Sequence, residues 1–274
     1  MSGTADIDSV RARSFGVAAA RYDRYRPRYP DQLVDDVVAM LPGRRVLEVG
    51  SGTGIATVAF AARGMAMTCV EPDPQMAAVL SAKLAADADV QIATFEDWSA
   101  ARPAGAADFD GLISAQAWHW TDPATRWANA GAAVTSGGVI ALFWNEDGYA
   151  DPRVFDTFTA AYDRRGIQIR SVRERAASSS DPDRIVEPER PDGWPAVDAD
   201  ADRYFTHLRV HQYHWTRRMP VADYVAHVNT TSAHLILPPE VRDGLTAELI
   251  TTLTGYGDDV ELAMTTDLAT AIRR

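Results

Sequence analysis

Short apolar runs alternate with longer amphipathic stretches through the first half of this 274-residue chain. The runs are Val46–Val49, Met65–Val70, Val90–Ala93, Phe109–Ser114 and Val139–Trp144, the last entered through the turn Ser136-Gly137-Gly138. Between them, Ile55–Ala62 and Pro74–Ala86 have helix-forming composition. Strands interleaved with helices predict an α/β fold with a doubly wound, mostly parallel sheet and helices on both faces. Further along, Phe155–Arg165 reads as a helix and Phe205–Trp215 alternates as a sixth strand. Helices are expected over Val221–Leu235 and Pro239–Thr252, and Val260–Leu268 is a candidate seventh strand. Periodicity is lost over Ser171–Asp202, which is rich in Ser, Pro and Asp and reads as an inserted loop or lid. The expected organisation is one domain: a cap segment at 1–30, a core at 31–145, the insertion at 168–204, and C-terminal strands with substrate-side helices at 205–274.

The first apolar run ends in Glu48-Val49-Gly50-Ser51-Gly52-Thr53-Gly54, and a helical run begins at once. Glycine serves where φ is positive or where backbone must approach a ligand, because a Cβ blocks either. Strand, glycine turn and helix N-terminus together predict a nucleotide-cofactor site at the carboxyl end of a parallel sheet. A dinucleotide fingerprint, G-x-G-x-x-G, requires glycine at position 55, and isoleucine stands there.

An acidic residue before the turn, Glu48, followed by G-x-G-x-G resembles the first motif of class I S-adenosylmethionine (SAM)-dependent methyltransferases. The resemblance implies a Rossmann-like methyltransferase fold, SAM as cofactor, and residues 31–145 as the SAM-binding core. It makes Glu48, Gly50, Ser51, Gly52 and Gly54 candidate cofactor contacts. Glu71-Pro72 ends the second strand about twenty residues after the turn, where a carboxylate reaches ribose hydroxyls; Glu71 is the candidate for that role, with Pro72 beside it. Asp73 is expected to cap the next helix. After the third strand, Phe95 and Glu96 match the place that contacts adenine in the family, with Asp97 a close competitor. The fourth strand runs into Ser114-Ala115-Gln116-Ala117-Trp118-His119-Trp120. This S-x-x-A-x-H-W segment is similar to a small-molecule subgroup that includes trans-aconitate methyltransferase-like proteins, and so is the stretch from Phe15-Gly16 through Tyr22 to Pro30. That likeness adds Ser114 and Gln116 as cofactor contacts; Arg26 or Arg28 could pair with the methionine carboxylate of SAM, and the likeness favours Arg26, with Tyr22 near it. It covers roughly residues 15–145.

Composition narrows the acceptor. A formal charge of −11 opposes general affinity for a polyanion, which depends on neutralising phosphates. Lys83 is the sole lysine, which rules against lysine-dependent RNA ribose methylation. The tip of the fourth strand lacks the D/N-P-P-aromatic sequence with which enzymes methylating nucleic-acid amines grip an extruded base. A small-molecule acceptor is expected, with no nucleic-acid partner and a monomer or homodimer. No apolar run approaches the eighteen residues of a membrane span, and the N-terminus lacks the apolar core of a signal peptide. The single cysteine, Cys69, excludes an internal disulfide and fits a cytoplasmic setting. His207, His211 and His214 on one strand lie too far apart, or on opposite faces, to share an ion, so no metal site is expected.

Methyl transfer from a sulfonium is an in-line displacement, so alignment supplies most of the catalysis. Where the acceptor must lose a proton, His119 is the candidate base, since imidazole titrates near neutral pH; the competing role is shaping the pocket with Trp118 and Trp120. Trp144, Asn145, Tyr149, Trp215 and Tyr224 are candidate lining for an acceptor pocket. The expected activity is SAM-dependent methylation of O, N or C of a small metabolite. The alternatives are an NAD-dependent oxidoreductase, disfavoured by the missing glycine, and a non-methylating SAM-fold protein such as a cyclase or partner subunit.

Overall fold

Successive side chains of a strand point to opposite faces, so runs apolar on both faces are buried from both sides. The computed structural model describes residues 19–84, 89–103, 106–167 and 200–274. Among these, β1 (Arg45–Val49), β2 (Ala66–Val70), β3 (Asp89–Gln91), β4 (Phe109–Ala115), β5 (Val134–Tyr149), β6 (Phe205–Pro220) and β7 (Asp259–Arg273) form one sheet, ordered β3-β2-β1-β4-β5-β7-β6. β1 pairs in parallel with both β2 and β4, β2 with β3, and β4 with β5. β7 runs opposite to β5: Asn145, Gly148 and Ala150 meet Thr266, Ala263 and Glu261, so one numbering falls as the other rises. This is the doubly wound, mostly parallel seven-stranded sheet that the apolar pattern predicts.

The described residues group into two compact units. The sheet unit comprises the described parts of 28–145, 183–213 and 266–274; the helical unit comprises those of 1–27, 146–182 and 214–265. In the sheet unit, alternation divides the core between two faces. Leu47, Val49, Leu112, Ile140 and Leu142 pack on one side with Trp127 and Ala130 of the helix Arg126–Ala133. Val46, Ile113, Ala141 and Phe143 pack on the other with Leu33 and Val37 of Asp31–Met40 and Ala56 and Phe60 of Ile55–Ala61. In the helical unit, Pro152–Asp163, Val221–Val228 and Pro239–Thr254 bury Phe158, Tyr224, Leu245 and Leu249 around Leu262 and Met264 of β7.

Several expectations change. β5, β6 and β7 all extend beyond their apolar runs, because backbone pairing continues where the sequence turns polar, as at Ala150 N–H onto Glu261 O. The third strand is three residues long, and Phe95–Ala100, capped by the Thr94 hydroxyl accepting from Asp97 N–H, is a helix. The helix after β2 is described over Pro74–Ser81, with Asp73 accepting from Gln75 N–H and Met76 N–H as its expected cap. β6 forms one edge of the sheet; His207, Arg209 and His211 are exposed on it, and His207 has a left-handed backbone, φ 56°. The expected lid over Ser171–Asp202 lies outside the described residues up to position 199, and so do Phe15 and Gly16.

Candidate functional site

The glycine turn is built from β1 outward. Gly50 N–H and Ser51 N–H both donate to Val70 O of β2 (2.9 and 3.2 Å), folding the chain back over the strand ends. Gly54 N–H donates to Ser51 O (2.9 Å) and opens the helix Ile55–Ala61. All three glycines have positive φ, 71°, 55° and 82°. Two of them are required for different reasons. A Cβ on Gly50 would lie 2.3 Å from the Cβ of Ala117, so the turn is in direct contact with the segment that carries Gln116 and His119. A Cβ on Gly52 would meet no heavy atom within 4 Å. Gly52 therefore keeps an open crest, the kind of space a ligand's approach to backbone requires.

Glu71 flanks that crest. Its Oε2 accepts from Gly52 N–H (2.8 Å) and its Oε1 from Asp73 N–H (2.9 Å). Burial raises its pKa, while the two backbone donors favour the ionised form and oppose that rise. A carboxylate has about four acceptor sites, so two lone pairs are left for a vicinal diol. Open crest and diol-accepting carboxylate together fit the ribose of SAM. Pro72 is exposed beside it.

Three candidate contacts lie underneath the turn instead. Glu48 is 1 % exposed, and its Oε2 accepts from the Thr57 hydroxyl (2.5 Å). Burial drives its pKa up to about 8, with Thr57 opposing and the charge of Glu71 adding, so it is predominantly protonated at neutral pH. Ser51 Oγ donates to Glu48 O, and Ser114 Oγ donates to Val49 O at 2.8 Å. Glu48, Ser51 and Ser114 hold the turn and the β4 tip in register, and their side chains are buried. Cys69, equally buried, has its thiol pushed up to about 12 by burial, as a structural cysteine should.

Phe95 is turned inward. Its ring is 3 % exposed and packs against Trp98 and Trp118 at centroid distances of 6.1 and 6.0 Å, because the helix starting at Phe95 directs it into the core. Glu96 Oε1 accepts from Asp122 N–H (2.8 Å), tying this helix to the chain beyond Trp120. At the β4 tip, Gln116 adopts φ 60°, uncommon for a non-glycine residue. Its N–H donates to Phe143 O, and its Nε2 to Asn145 O (2.8 Å). Trp118–Trp120 is a single 3₁₀ turn that buries Trp118 and leaves His119 exposed. His119 Nδ1 accepts from the indole N–H of Trp144 at 3.3 Å. An indole nitrogen only donates. Neutral His119 in this arrangement has its proton on Nε2 and presents a hydrogen-bond donor there.

Tyr22 and Arg26 belong to the helical unit. The Arg26 guanidinium lies 4.7 Å from the centre of the Tyr22 ring and donates through Nη2 to Thr230 O (2.9 Å). In the same unit, Asp147 Oδ2 pairs with His227 Nε2 at 2.8 Å. Burial pushes the Asp147 carboxyl upward, but His227, Arg26 and Arg217 outweigh this and hold it below the usual range. Sequence reading missed this group, since Asp147 stands past the expected end of β5 and an isolated His227 carries no spacing signal. Tyr224, expected in a pocket wall, is fully buried, donating its hydroxyl proton to Tyr149 (2.9 Å). Its role is core packing, and Trp144 is likewise buried.

A methyltransferase-domain family profile matches residues 46–138. The chain is 30 % identical over 233 residues to an uncharacterized methyltransferase of Mycobacterium tuberculosis (strain ATCC 25618 / H37Rv), covering 84 % of this chain and 81 % of that protein. It is 37 % identical over 89 residues to an uncharacterized methyltransferase of Bacillus licheniformis, covering 32 % of this chain and 39 % of that one. Among solved structures, it resembles a putative type II methyltransferase from Anaeromyxobacter dehalogenans (TM-score 0.58, 21 % identity, 90 % of this chain and 97 % of that one). This last likeness concerns the fold.

Proposed function

The chain belongs to the class I SAM-dependent methyltransferases, and on that premise we propose that it methylates O, N or C of a small-molecule metabolite. SAM, when bound, supplies an electrophilic methyl group on a sulfonium. The residues suited to hold it are Glu71 for the ribose hydroxyls and Gly50–Gly54 for close backbone approach. The observation that carries the reading is the contact of Gly50 with Ala117, which brings the Gln116–His119 segment onto the cofactor turn. An acceptor handled by that segment meets His119 as a donor. With Nδ1 committed to Trp144, the imidazole orients and polarises the acceptor through Nε2–H and is not a base in this tautomer. The charge of −11 and the absent D/N-P-P-aromatic tip favour a small acceptor over a nucleic acid. Membership of the family sets the oxidoreductase alternative aside. The narrower trans-aconitate-like reading rests on the S-x-x-A-x-H-W segment and the stretch from Phe15 to Pro30.

The test is incubation with isotopically labelled SAM and an extracted-metabolite mixture, followed by separation of labelled products. Label in one or a few small molecules supports the proposal. Label confined to RNA or protein fractions from the same extract refutes it.

A further inference from the structure

The chain carries 27 lysine and arginine residues, and only Lys83 is a lysine. That one ammonium touches the cofactor turn: Lys83 Nζ donates to Thr53 O at 2.7 Å. The other end of the same peptide unit is also fixed, since Gly54 N–H donates to Ser51 O. The Thr53–Gly54 peptide plane is thus held at its oxygen by a charge and at its nitrogen by the turn itself.

The wider arrangement closes a circuit. Gly52 N–H reaches Glu71; Glu71 accepts in turn from Asp73 N–H; Asp73 caps the helix Pro74–Ser81. Leu80 of that helix packs beneath the turn, where a Cβ on Gly54 would meet Leu80 Cδ1 at 2.4 Å. Lys83, just past the helix, returns to Thr53. The start of the helix acts on one side of the Gly52 crest through a carboxylate, and its end acts on the other through an ammonium. An ammonium is a compact point donor, whereas a guanidinium is a broad plane. The single contact of Lys83 Nζ with Thr53 O suits a point donor.

We propose that Lys83 is a positioning residue for methyl transfer, holding the Gly52–Gly54 backbone in the conformation that receives SAM and so setting cofactor affinity. Lys83 acts through the Thr53 carbonyl and needs no contact with the cofactor. The inference rests on the reading of the glycine turn as the SAM site.

The test compares wild type, K83M, K83C and G52A by calorimetry with S-adenosylhomocysteine, each well below its own unfolding midpoint. Loss of one charge-assisted hydrogen bond corresponds to about a tenfold change in affinity. K83M is expected to weaken binding by about that factor and to raise KM for SAM with kcat nearly unchanged. K83C treated with 2-bromoethylamine regains an ammonium at the native reach, as the introduced thiolate displaces bromide. Cys69 is fully buried with its thiol pKa pushed up to about 12, so it does not compete. Aminoethylated K83C is expected to bind within about threefold of wild type, a recovery that a merely space-filling role would not produce. K83M that binds normally while G52A binds poorly overturns the role of Lys83 and leaves the site intact. Normal binding by G52A as well overturns the site and the inference with it.

Discussion

Gly50 and Gly52 lie two residues apart in one turn, both with positive φ, yet alanine at each should fail in a different way. At either position an alanine Cβ in the left-handed region costs about 1–2 kcal/mol. At Gly52 that is the whole cost in the free protein, since the new methyl meets nothing within 4 Å. At Gly50 the methyl would lie 2.3 Å from Ala117 Cβ, well inside carbon–carbon contact at about 3.5–4.0 Å. Ala117 cannot yield easily, because Gln116 before it is held at φ 60° and Trp118 after it is fully buried. Overpacking of this kind adds about 1–3 kcal/mol, giving about 2–5 kcal/mol in all for G50A. Urea unfolding of the ligand-free proteins should therefore rank G52A clearly above G50A. Titration with S-adenosylhomocysteine should show G52A as the variant whose binding loss far exceeds its stability loss. The double variant G50A/A117G restores the space but not the backbone, so it should recover the overpacking share, about 1–3 kcal/mol, as coupling between the sites. Equal destabilisation by G50A and G52A, or additive behaviour of G50A with A117G, would refute the packing argument.

Three further outcomes follow from the same geometry. Glu48 binds its proton more tightly in the folded chain, pKa about 8 against 4.5, so its contribution to stability is full below pH 4.5 and lost as pH rises towards 8. E48Q removes that slope, and unfolding free energies from urea titrations across this range should shift in favour of the variant by up to about 1.4 kcal/mol per pH unit; parallel curves would contradict the buried-acid reading. If His119 is a donor, H119N should retain more turnover than H119A, and W144F should alter the pH profile of kcat by freeing Nδ1; indistinguishable H119N and H119A would count against it. Asp147 has its pKa lowered on folding, so its contribution is present above the ordinary carboxyl range and fades as pH falls. D147N should cost about 1–3 kcal/mol near neutral pH and progressively less as pH falls below the ordinary carboxyl range, and a cost that does not decline there would rule out an ionised Asp147 stabilised by its neighbours.

What the sequence disclosed was governed by local rules. β1, the positive-φ glycines and the Glu71 tip follow from strand periodicity and backbone sterics within short windows, and these are legible one residue at a time. Phe95 escaped because the helix at Thr94 changes the side-chain period and turns the ring inward. Glu48 and Ser114 stand at positions where the family places functional residues, but whether a side chain faces ligand or core depends on neighbours such as Thr57 and Val49 O. Asp147 with His227, and Trp144 with His119, are pairs separated by 80 and 25 residues, and no local pattern announces them. The extensions of β5 and β7 were hidden because their polar ends are fixed by backbone pairing and not by side-chain character.

One edge of the sheet, among the described residues, is the long strand β6. Such an edge presents unpaired backbone donors and acceptors that template addition of another chain. Outward-facing Arg209, flanked by His207 and His211, interrupts any flat apolar face there, and His207 adopts a left-handed backbone within the strand. His207 and His211, too far apart to share an ion, are with Arg209 suited to discourage edge pairing. Valines in their place would extend a flat apolar edge and are expected to promote edge-to-edge association, read as rising light scattering with concentration.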